Sequence, residues 1–514
     1  MELELKTTRL DGFDIGAEQV LTQEETAETI VPDYCPDIAR IIDTEGKVFL
    51  HSRELRDGKG EVSGTVRVTV LYTPDGEGGI RTLEFAIPFS TETDGRVMNE
   101  CVFLCAASEI EFLETRSLNP RKVFTRCKLV TRLTGYRRQP LELCSDVEAP
   151  AELCLEKKLE SRQATQLVQL LERDFTFSDE MDLSPGKEGA AEILSNRTAA
   201  VVTESKIIGN KLILKGIFRI TLLYRAVSGS CCSACGELPF SQIMEINGDA
   251  EDTLASVQLQ FTGTDIQISG SSSDQEGRRI NVTLYLHATA ALRRQQEVVL
   301  LSDLYSTSYP LSYEAAPVVL TDRSDLFSRR QSAREILEVG VVTESLLSLN
   351  VSCGSVSVSR EGEYATLRSP VTIRALYLDE GGVPLVTERT VDTVCQLELP
   401  EDCHISARAF CPEEAQGSLG GRGIEVRFPV EFRIRTTVRS KRACLTSVKL
   451  LSDAPKDLSA APSLVLRKFG GEETLWTLAK QYNTTVADIL AANHAAQEED
   501  LSQDQLLLIP KKRA

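Results

Sequence analysis

Three cysteines, Cys231, Cys232 and Cys235, lie within five residues of one another, and thiols at this spacing could bind a metal ion or act as nucleophiles. A structural zinc site needs four ligands, which commonly come as two closely spaced pairs of cysteine or histidine. The sequence places no second pair near these thiols. We therefore predict no metal ion here, interpret the segment as a loop with oxidisable thiols, and retain the three cysteines as alternative candidates for metal ligands.

Catalysis by acid–base or nucleophilic chemistry usually requires a histidine, or a tuned pair of carboxylates, beside a nucleophile. The sequence has four histidines, which we assign to strands or loops: His51, His287, His404 and His494. Cys403 and Cys411 lie near His404, but this group lacks a fourth metal ligand. The glycine-rich motifs of nucleotide-binding loops are absent from the sequence. The sequence therefore predicts a protein that is not an enzyme and needs no cofactor.

The composition indicates a folded protein with several domains. The chain has 514 residues, of which 42% are hydrophobic and 26% are charged, and roughly 150 residues per domain gives three or four domains. The net charge of -19 disfavours binding to nucleic acid or to anionic lipid. No apolar run approaches the ~20 residues that span a bilayer, and the first residues do not resemble a signal peptide. We expect a cytoplasmic protein whose 14 cysteines are mostly reduced.

Alternating apolar and polar residues predict a long amphipathic strand at residues 62–72, because successive side chains of a strand point to opposite faces. The same pattern recurs at residues 214–224 and 367–377. The first two copies share a glycine, Gly64 and Gly216, and all three copies end in Leu-Tyr. A strand that recurs about every 150 residues indicates three copies of one domain.

Two further segments recur with similar spacing. An alternating segment ending in Ser-Asp occurs three times, at residues 121–146, 278–303 and 428–453. A short apolar segment, compatible with a helical turn or with the start of a strand, also occurs three times, at residues 36–42, 190–194 and 333–337. Residues 153–174 are equally compatible with an amphipathic helix and with a strand.

These repeats predict a mainly β protein. We expect three tandem, antiparallel, β-sandwich-like repeats at residues 1–150, 151–305 and 306–458. A proline-bounded linker then leads to a smaller module at residues 463–511, whose apolar pattern predicts the element order β-α-α-β.

The C-terminal module resembles the LysM family. The residues that carry the resemblance are Thr474, Leu475, Trp476, Leu478, Ala479, Asn493 and the segment 507–510. LysM modules bind polymers of N-acetylglucosamine, such as peptidoglycan, in a shallow groove between two loops. The resemblance therefore implies a groove whose residues in this chain are Gly471, Glu473, Thr474, Asn493 and Asp504.

This groove departs from the family pattern. The usual Gly-Asp before Thr-Leu reads Glu472-Glu473 here, and the usual glycine before the last strand is Asp504. The added carboxylates suit a protein partner at least as well as a sugar. We expect Trp476 to pack in the core of the small module.

Three such repeats followed by one LysM module resemble the SipL-like spore coat morphogenetic proteins of clostridia, whose repeat is called the SPOCS domain. The resemblance implies a non-catalytic scaffold for assembly of the spore coat or envelope, on the mother-cell side of the forespore surface. It implies that the LysM module docks on the coat-assembly ATPase, with binding of peptidoglycan as the alternative. Residues 463–514 hold six basic and seven acidic residues, so the acidic excess lies in the repeats and favours basic protein partners there.

Overall fold

The computed structural model of the chain describes residues 2–76, 78–248, 250, 252–269, 277–420, 423–459, 462–470, 473–501 and 504–510. Antiparallel strands form three similar two-sheet units, and a C-terminal module contains two helices. This confirms the predicted fold class, which is mainly β with three sandwich-like repeats and a β-α-α-β module.

Repeat 1 has two sheets that enclose one core. Its strands are β1 (Glu4–Leu10), β2 (Phe13–Ile30), β3 (Ile38–Arg56), β4 (Lys59–Pro74), β5 (Arg81–Glu92), β6 (Cys101–Asn119), β7 (Lys122–Arg138) and β8 (Leu141–Glu148). The sheet β3-β4-β5 packs against β2-β7-β6. Val66 in β4 and Leu129 in β7 belong to this core, because alternate side chains of each strand point inwards. Strands β1 and β8 pair as a separate ribbon.

Repeat 2 has the same arrangement. Its strands are β9 (Leu155–Asp182), β10 (Ala190–Ile208), β11 (Lys211–Ala226), β12 (Cys231–Glu245), β13 (Thr253–Ile268) and β14 (Arg279–Ser306). The sheet β10-β11-β12 packs against β9-β14-β13, with Phe218 and Leu284 in the core between them. Residues 153–174, where helix and strand were both possible, therefore lie mostly in a strand. Phe13 pairs with Leu167, which joins sheets of repeats 1 and 2 into one six-stranded sheet.

Repeat 3 completes the series. Its strands are β15 (Leu311–Glu338), β16 (Thr343–Cys353), β17 (Ser357–Glu361), β18 (Tyr364–Asp379), β19 (Pro384–Glu398), β20 (Cys403–Phe410), β21 (Gln416–Gly420) and β22 (Gly423–Leu450). The sheet containing β16, β18 and β19 packs against the sheet containing β15, β22 and β20. Ile373 and Phe432 lie in the core between them.

The C-terminal module consists of β23 (Leu464–Lys468), α1 (Leu475–Tyr482), α2 (Val486–Ala492) and β24 (Leu506–Pro510). Strands β23 and β24 pair antiparallel, and Leu475, Ile489 and Leu507 belong to one small core. In the part of the chain that the structure describes, no helix is long and apolar enough to cross a membrane.

The tyrosines that end the main strand occupy equivalent positions. Tyr72 and Tyr224 are fully buried, and their hydroxyls donate to the carbonyls of Pro36 at 3.2 Å and Glu188 at 2.9 Å. Tyr377 is 4% exposed and pairs with Leu346, as Tyr72 pairs with Ile41 and Tyr224 with Ile193. The repeat read from the sequence is therefore a structural repeat.

The structure contradicts the sequence prediction for one of the three short apolar segments. Residues 36–42 and 190–194 lead into β3 and β10, but residues 333–337 lie near the end of β15. The start of β16 takes that role in repeat 3, because Thr343 pairs with Asp379 as Ile38 pairs with Pro74. The prediction for residues 333–337 is wrong because it rests on a local match of apolar residues, and the end and the start of a strand can share the same composition.

The third predicted Ser-Asp motif, Ser452-Asp453, is not the structural equivalent of the first two. In repeats 1 and 2, Ser145 and Ser302 lie in β-bulges and donate to the carbonyls of Lys6 at 3.2 Å and Lys158 at 3.1 Å. In repeat 3 the equivalent hydroxyl is Thr446, which donates to the Glu314 carbonyl at 3.2 Å. The predicted marker Ser452-Asp453 lies beyond the end of β22.

Bulges at equivalent positions bring the three repeats together. The strand that precedes the main strand is bulged at Ile42, Leu194 and Leu347 in repeats 1, 2 and 3. A bulge redirects a side chain away from its own sheet. These three residues pack in one cluster together with the equivalent leucines of the main strands, Leu71, Leu223 and Leu376. Equivalent surfaces of the three repeats therefore surround a common apolar centre.

A second shared core lies at the ends of the long strands. Leu143 from β8, Leu300 from β14 and Val448 from β22 are buried together in it. Since no repeat buries these residues by itself, the three units form one continuous body.

We expect Gly216→Ala to destabilise repeat 2 by about 1–3 kcal/mol. A Cβ atom there would lie 2.3 Å from the Val201 carbonyl oxygen and 2.6 Å from the Phe240 ring, and the backbone atom cannot move without disturbing the sheet. Gly186→Ala is the control, because a Cβ atom there meets nothing within 4 Å. Thermal unfolding of both variants tests this, and equal midpoints would contradict it.

Candidate functional site in the C-terminal module

Two loops of the module lie side by side and form the candidate groove. The Asp504 amide donates to the Phe469 carbonyl at 2.6 Å, which joins the end of β23 to the start of β24. Glu498, which the sequence did not single out, accepts from the Leu475 amide at 2.9 Å and so links the loop after α2 to the first turn of α1. The two loops therefore meet at the first turn of α1. Gly471, one of the predicted groove residues, lies outside the described residues.

Thr474 supports the local structure of the groove. Its hydroxyl accepts from the Thr477 amide at 3.3 Å, and the Thr477 hydroxyl accepts from the Thr474 amide at 3.1 Å. This reciprocal arrangement caps the N-terminus of α1 and satisfies two amides that the helix leaves unpaired.

Asn493 joins the second helix to the last strand. Its side-chain amide donates to the carbonyls of Ile489 and Leu508, each at 2.7 Å, and its side-chain oxygen accepts from the Leu508 amide at 2.8 Å. A ligand would have to compete with these three hydrogen bonds, so the geometry gives Asn493 a structural role in the groove.

The rim of the groove carries carboxylates that face basic residues of β23. Glu473 forms an ion pair with Arg467, and Asp504 forms one with Lys468 at 2.8 Å. Asp504 has φ of 69°, a left-handed conformation that favours glycine, and its side chain is 77% exposed. The rim therefore carries two carboxylates, each paired with a basic residue, and is solvent-accessible at Asp504.

Trp476 attaches the module to the repeats. Its ring lies edge-on to Tyr305 with a centroid distance of 5.0 Å, and its indole nitrogen donates to Asp303 at 2.8 Å. The indole packs against the module core, as expected, but it also contacts repeat 2. No local pattern in the sequence indicates this second contact, because the residues are far apart along the chain.

Asp303 also binds Lys480 of α1, at 2.6 Å. Burial favours the neutral acid, but hydrogen bonds from Lys480 and Trp476 outweigh it and hold the pKa of Asp303 below its ordinary value. The Tyr305 hydroxyl donates to the Thr484 carbonyl at 2.8 Å, and Lys456 of the linker donates to Asn483 at 2.6 Å. The module is therefore held in one orientation on the repeats.

The cysteine segment is not a loop, contrary to the sequence prediction. Cys231, Cys232 and Cys235 lie at the start of β12. Neighbouring side chains on a strand point to opposite faces, so Cys231 packs in the common apolar centre and Cys232 in the core of repeat 2. Burial raises the pKa of Cys231 to about 12. Cys235 is exposed, but partial loss of solvent and the neighbouring Glu414 raise its pKa to about 11. Both shifts disfavour reactive thiolates at neutral pH.

The remaining candidate ligands are also dispersed. Cys411 lies 3.7 Å from Cys353 in β16, while Cys403 is buried at the start of β20. His287 contacts Asp174 at 2.7 Å, and His51 contacts the Thr65 hydroxyl at 2.9 Å. Among the described residues, no group of three or more His, Cys, Asp and Glu side chains has the geometry of a metal site.

Comparison with known proteins identifies two kinds of domain. Residues 37–116 and 189–269 match the family model described as "SipL, SPOCS domain", and residues 471–510 match the LysM domain model. The SPOCS matches cover β3 to β6 and β10 to β13, which are equivalent parts of repeats 1 and 2. The recognition of SPOCS repeats with a C-terminal LysM module is confirmed.

No curated protein matches the chain. Among solved structures, the ferric yersiniabactin uptake receptor FyuA from Yersinia pestis aligns over 85% of this chain and 81% of its own, with 11% identity and a TM-score of 0.09. That score is too low to indicate a related fold.

Proposed function

We propose that the protein is a non-catalytic scaffold for assembly of the spore coat or envelope, and that its LysM module docks on a coat-assembly partner protein at the forespore surface. The SPOCS and LysM families, which are both non-catalytic, support a role in sporulation without turnover. The observation that carries the proposal is the attachment of the module through Trp476 and Asp303. A module held in one orientation fixes the position of the three repeats relative to whatever it binds.

The groove residues indicate the chemistry of the partner. We propose that Gly471, Glu473, Thr474, Asn493 and Asp504 form the docking surface. Thr474 and Asn493 hold its loops in place, and the carboxylates of Glu473 and Asp504 are its charged part. Carboxylates at a rim attract basic side chains of a protein and set the specificity of encounter. The resemblance to SipL-like proteins suggests the coat-assembly ATPase, which would place the protein in the mother-cell cytoplasm.

The alternative function is binding of peptidoglycan through the same groove. The match of residues 471–510 to the LysM family favours it. A sugar site requires close approach to the backbone and few competing charges. The two functions therefore predict opposite effects when the rim carboxylates are removed.

We expect the double variant Glu473→Gln, Asp504→Gly to weaken docking on a basic protein partner by about tenfold, since the two exposed charges together contribute on the order of 1–2 kcal/mol. Glycine suits the left-handed conformation at residue 504, so the fold should be retained. The measurements are the location of a fluorescent fusion in sporulating cells and a pull-down on insoluble peptidoglycan.

The control is Lys6→Gln, Glu148→Gln, which removes an exposed ion pair of β1 and β8 far from the module in sequence. Loss of forespore recruitment by the groove variant alone supports protein docking. Unchanged recruitment together with equal or stronger retention on peptidoglycan would overturn docking and favour the sugar-binding function.

A further inference from the structure

A cavity of about 570 Å³ lies between repeats 2 and 3. Its walls come from β9, β13 and β14 on one side and from β15 and β22 on the other. The volume is within the range of small-molecule sites, and clefts between domains are common positions for them. Docking through the groove of the LysM module makes no use of this cavity.

Two arginines line the cavity, Arg293 and Arg435, and in the part of the chain that the structure describes neither forms an ion pair, although Asp252 lines the same cavity. Arg293 in β14 has one polar contact, to the Ser256 hydroxyl at 3.4 Å. Arg435 in β22 forms no hydrogen bond or ion pair with any residue in the described ranges. Other arginines in the described ranges have a carboxylate as partner, such as Arg219 with Glu237 at 2.9 Å. Two guanidinium groups face one lining carboxylate, Asp252, so the cavity carries a local excess of positive charge.

Placing two like charges in a partly buried site is unfavourable unless a counter-ion compensates them. Burial, together with the charge of Arg435, lowers the pKa of Arg293 to about 10, and burial also lowers the pKa of Arg435. Both guanidinium groups stay charged at neutral pH. An anion bound between them would remove the repulsion and replace the water lost on burial.

The other lining residues suit a ligand with more than one kind of group. Hydroxyls of Thr165, Ser256 and Ser324 offer further hydrogen bonds, while Leu254 and Leu326 provide apolar surface. A phosphate group carries a charge of about -1.5 to -2 at neutral pH, which matches two guanidinium groups better than a single carboxylate does. Arginine also binds phosphate oxygens through two parallel hydrogen bonds.

We propose that the cavity between repeats 2 and 3 is a binding site for a phosphate-bearing small molecule, with Arg293 and Arg435 as its anion ligands. Because the two arginines belong to different repeats, a bound phosphate would link repeats 2 and 3. The ligand would then stabilise the folded body by an amount that rises with the logarithm of its concentration relative to its dissociation constant.

The test is calorimetric titration of the full chain with inorganic phosphate and, separately, with a hexose phosphate, each against sodium chloride of equal ionic strength. We expect saturable binding of at least one of them by the wild type, and a loss of affinity of about tenfold or more in Arg293→Gln and in Arg435→Gln. Binding of both probes indicates an organic phosphate as ligand, whereas binding of the ion alone indicates free phosphate.

Arg427→Gln is the matched control, because Arg427 lies on the same strand as Arg435, is 66% exposed and pairs with Glu425. It should bind phosphate as the wild type does. Thermal unfolding gives a second readout. In chloride, Arg293→Gln and Arg435→Gln each remove one of two like charges, so the unfolding midpoint should stay unchanged or rise. Added phosphate should raise the midpoint of the wild type and of the control only. Absence of saturable binding by the wild type, or equal affinities in all four proteins, would overturn the proposal.

Discussion

Replacing Arg374 with alanine should destabilise the protein by about 3–5 kcal/mol, because it leaves a buried carboxylate without its cation. Asp43 of repeat 1 is 4% exposed and forms an ion pair with Arg374 of repeat 3. The contact lies beside the common apolar centre, since Asp43 follows the bulge at Ile42. The loss should appear in chemical unfolding of the whole body, because Arg374 links two repeats.

The matched control is Arg368→Ala on the same strand. Arg368 pairs with Asp392 at 3.0 Å, and the two side chains are 56% and 48% exposed. An exposed pair of this kind contributes about 0–1 kcal/mol. If Arg374→Ala were no more destabilising than Arg368→Ala, the burial of Asp43 would not have the energetic consequence that we assign to it.

The effect of Arg374→Ala should also depend on pH. Burial raises the pKa of Asp43, although the charge of Arg374 opposes this. When a carboxyl group has a higher pKa in the folded state than in the unfolded state, its protonated form favours folding. This contribution to the free energy of unfolding is lost as the pH rises through the folded-state pKa. Without Arg374 the pKa of Asp43 rises further. The stability difference from the wild type should therefore be largest above the raised pKa of Asp43 in the variant and shrink as the pH falls through that pKa. A constant difference would contradict this explanation.

Trp476→Ala should release the LysM module from the repeats, with a loss of about 3–5 kcal/mol in the free energy of attachment. The substitution removes the ring contact with Tyr305 and the hydrogen bond to Asp303. Trp476→Phe is the control, because it keeps a ring against Tyr305 and loses only the hydrogen bond, at a cost of about 1–2 kcal/mol. Hydrogen exchange of α1 and proteolysis of the linker at residues 454–459 measure the release.

A double-mutant cycle distinguishes release from unfolding of the module itself. Tyr305→Ala removes the other partner of the contact from repeat 2. If the two residues stabilise the same attachment, the losses caused by Trp476→Ala and Tyr305→Ala should be strongly non-additive. Additive losses would show that Trp476 stabilises only the interior of the module.

The strands and their repetition could be predicted from the sequence because both depend on local order along the chain. The alternation in residues 62–72 and 214–224 follows from the period of two in a strand, which any core imposes on the residues that face it. The shared glycines are explained by close packing, since a Cβ atom at Gly64 would lie 2.5 Å from the Phe49 carbonyl oxygen. The LysM pattern likewise depends on helix caps and apolar spacing within about fifty residues.

Two sequence predictions are wrong because each rests on one short segment considered without its partner strand. Residues 333–337 resemble the start of β3 in composition, yet they end a strand. A loop is predicted for the cysteines at residues 231, 232 and 235 because the equivalent part of repeat 1 contains turn residues. In the structure this segment pairs with β11 and is therefore a strand. Strand pairing is a property of two segments, so one segment alone does not define it.

Local patterns in the sequence predict a mainly β chain with three related units and a LysM module at its end. The contacts that appear only in the folded structure are the apolar centre shared by bulged residues of all three units, the hydrogen bond from Trp476 to Asp303, and the cavity lined by Arg293 and Arg435. The partners in these contacts lie more than a hundred residues apart. Such contacts leave no periodic trace in the sequence, because they are set by how folded units pack and not by the local geometry of the backbone.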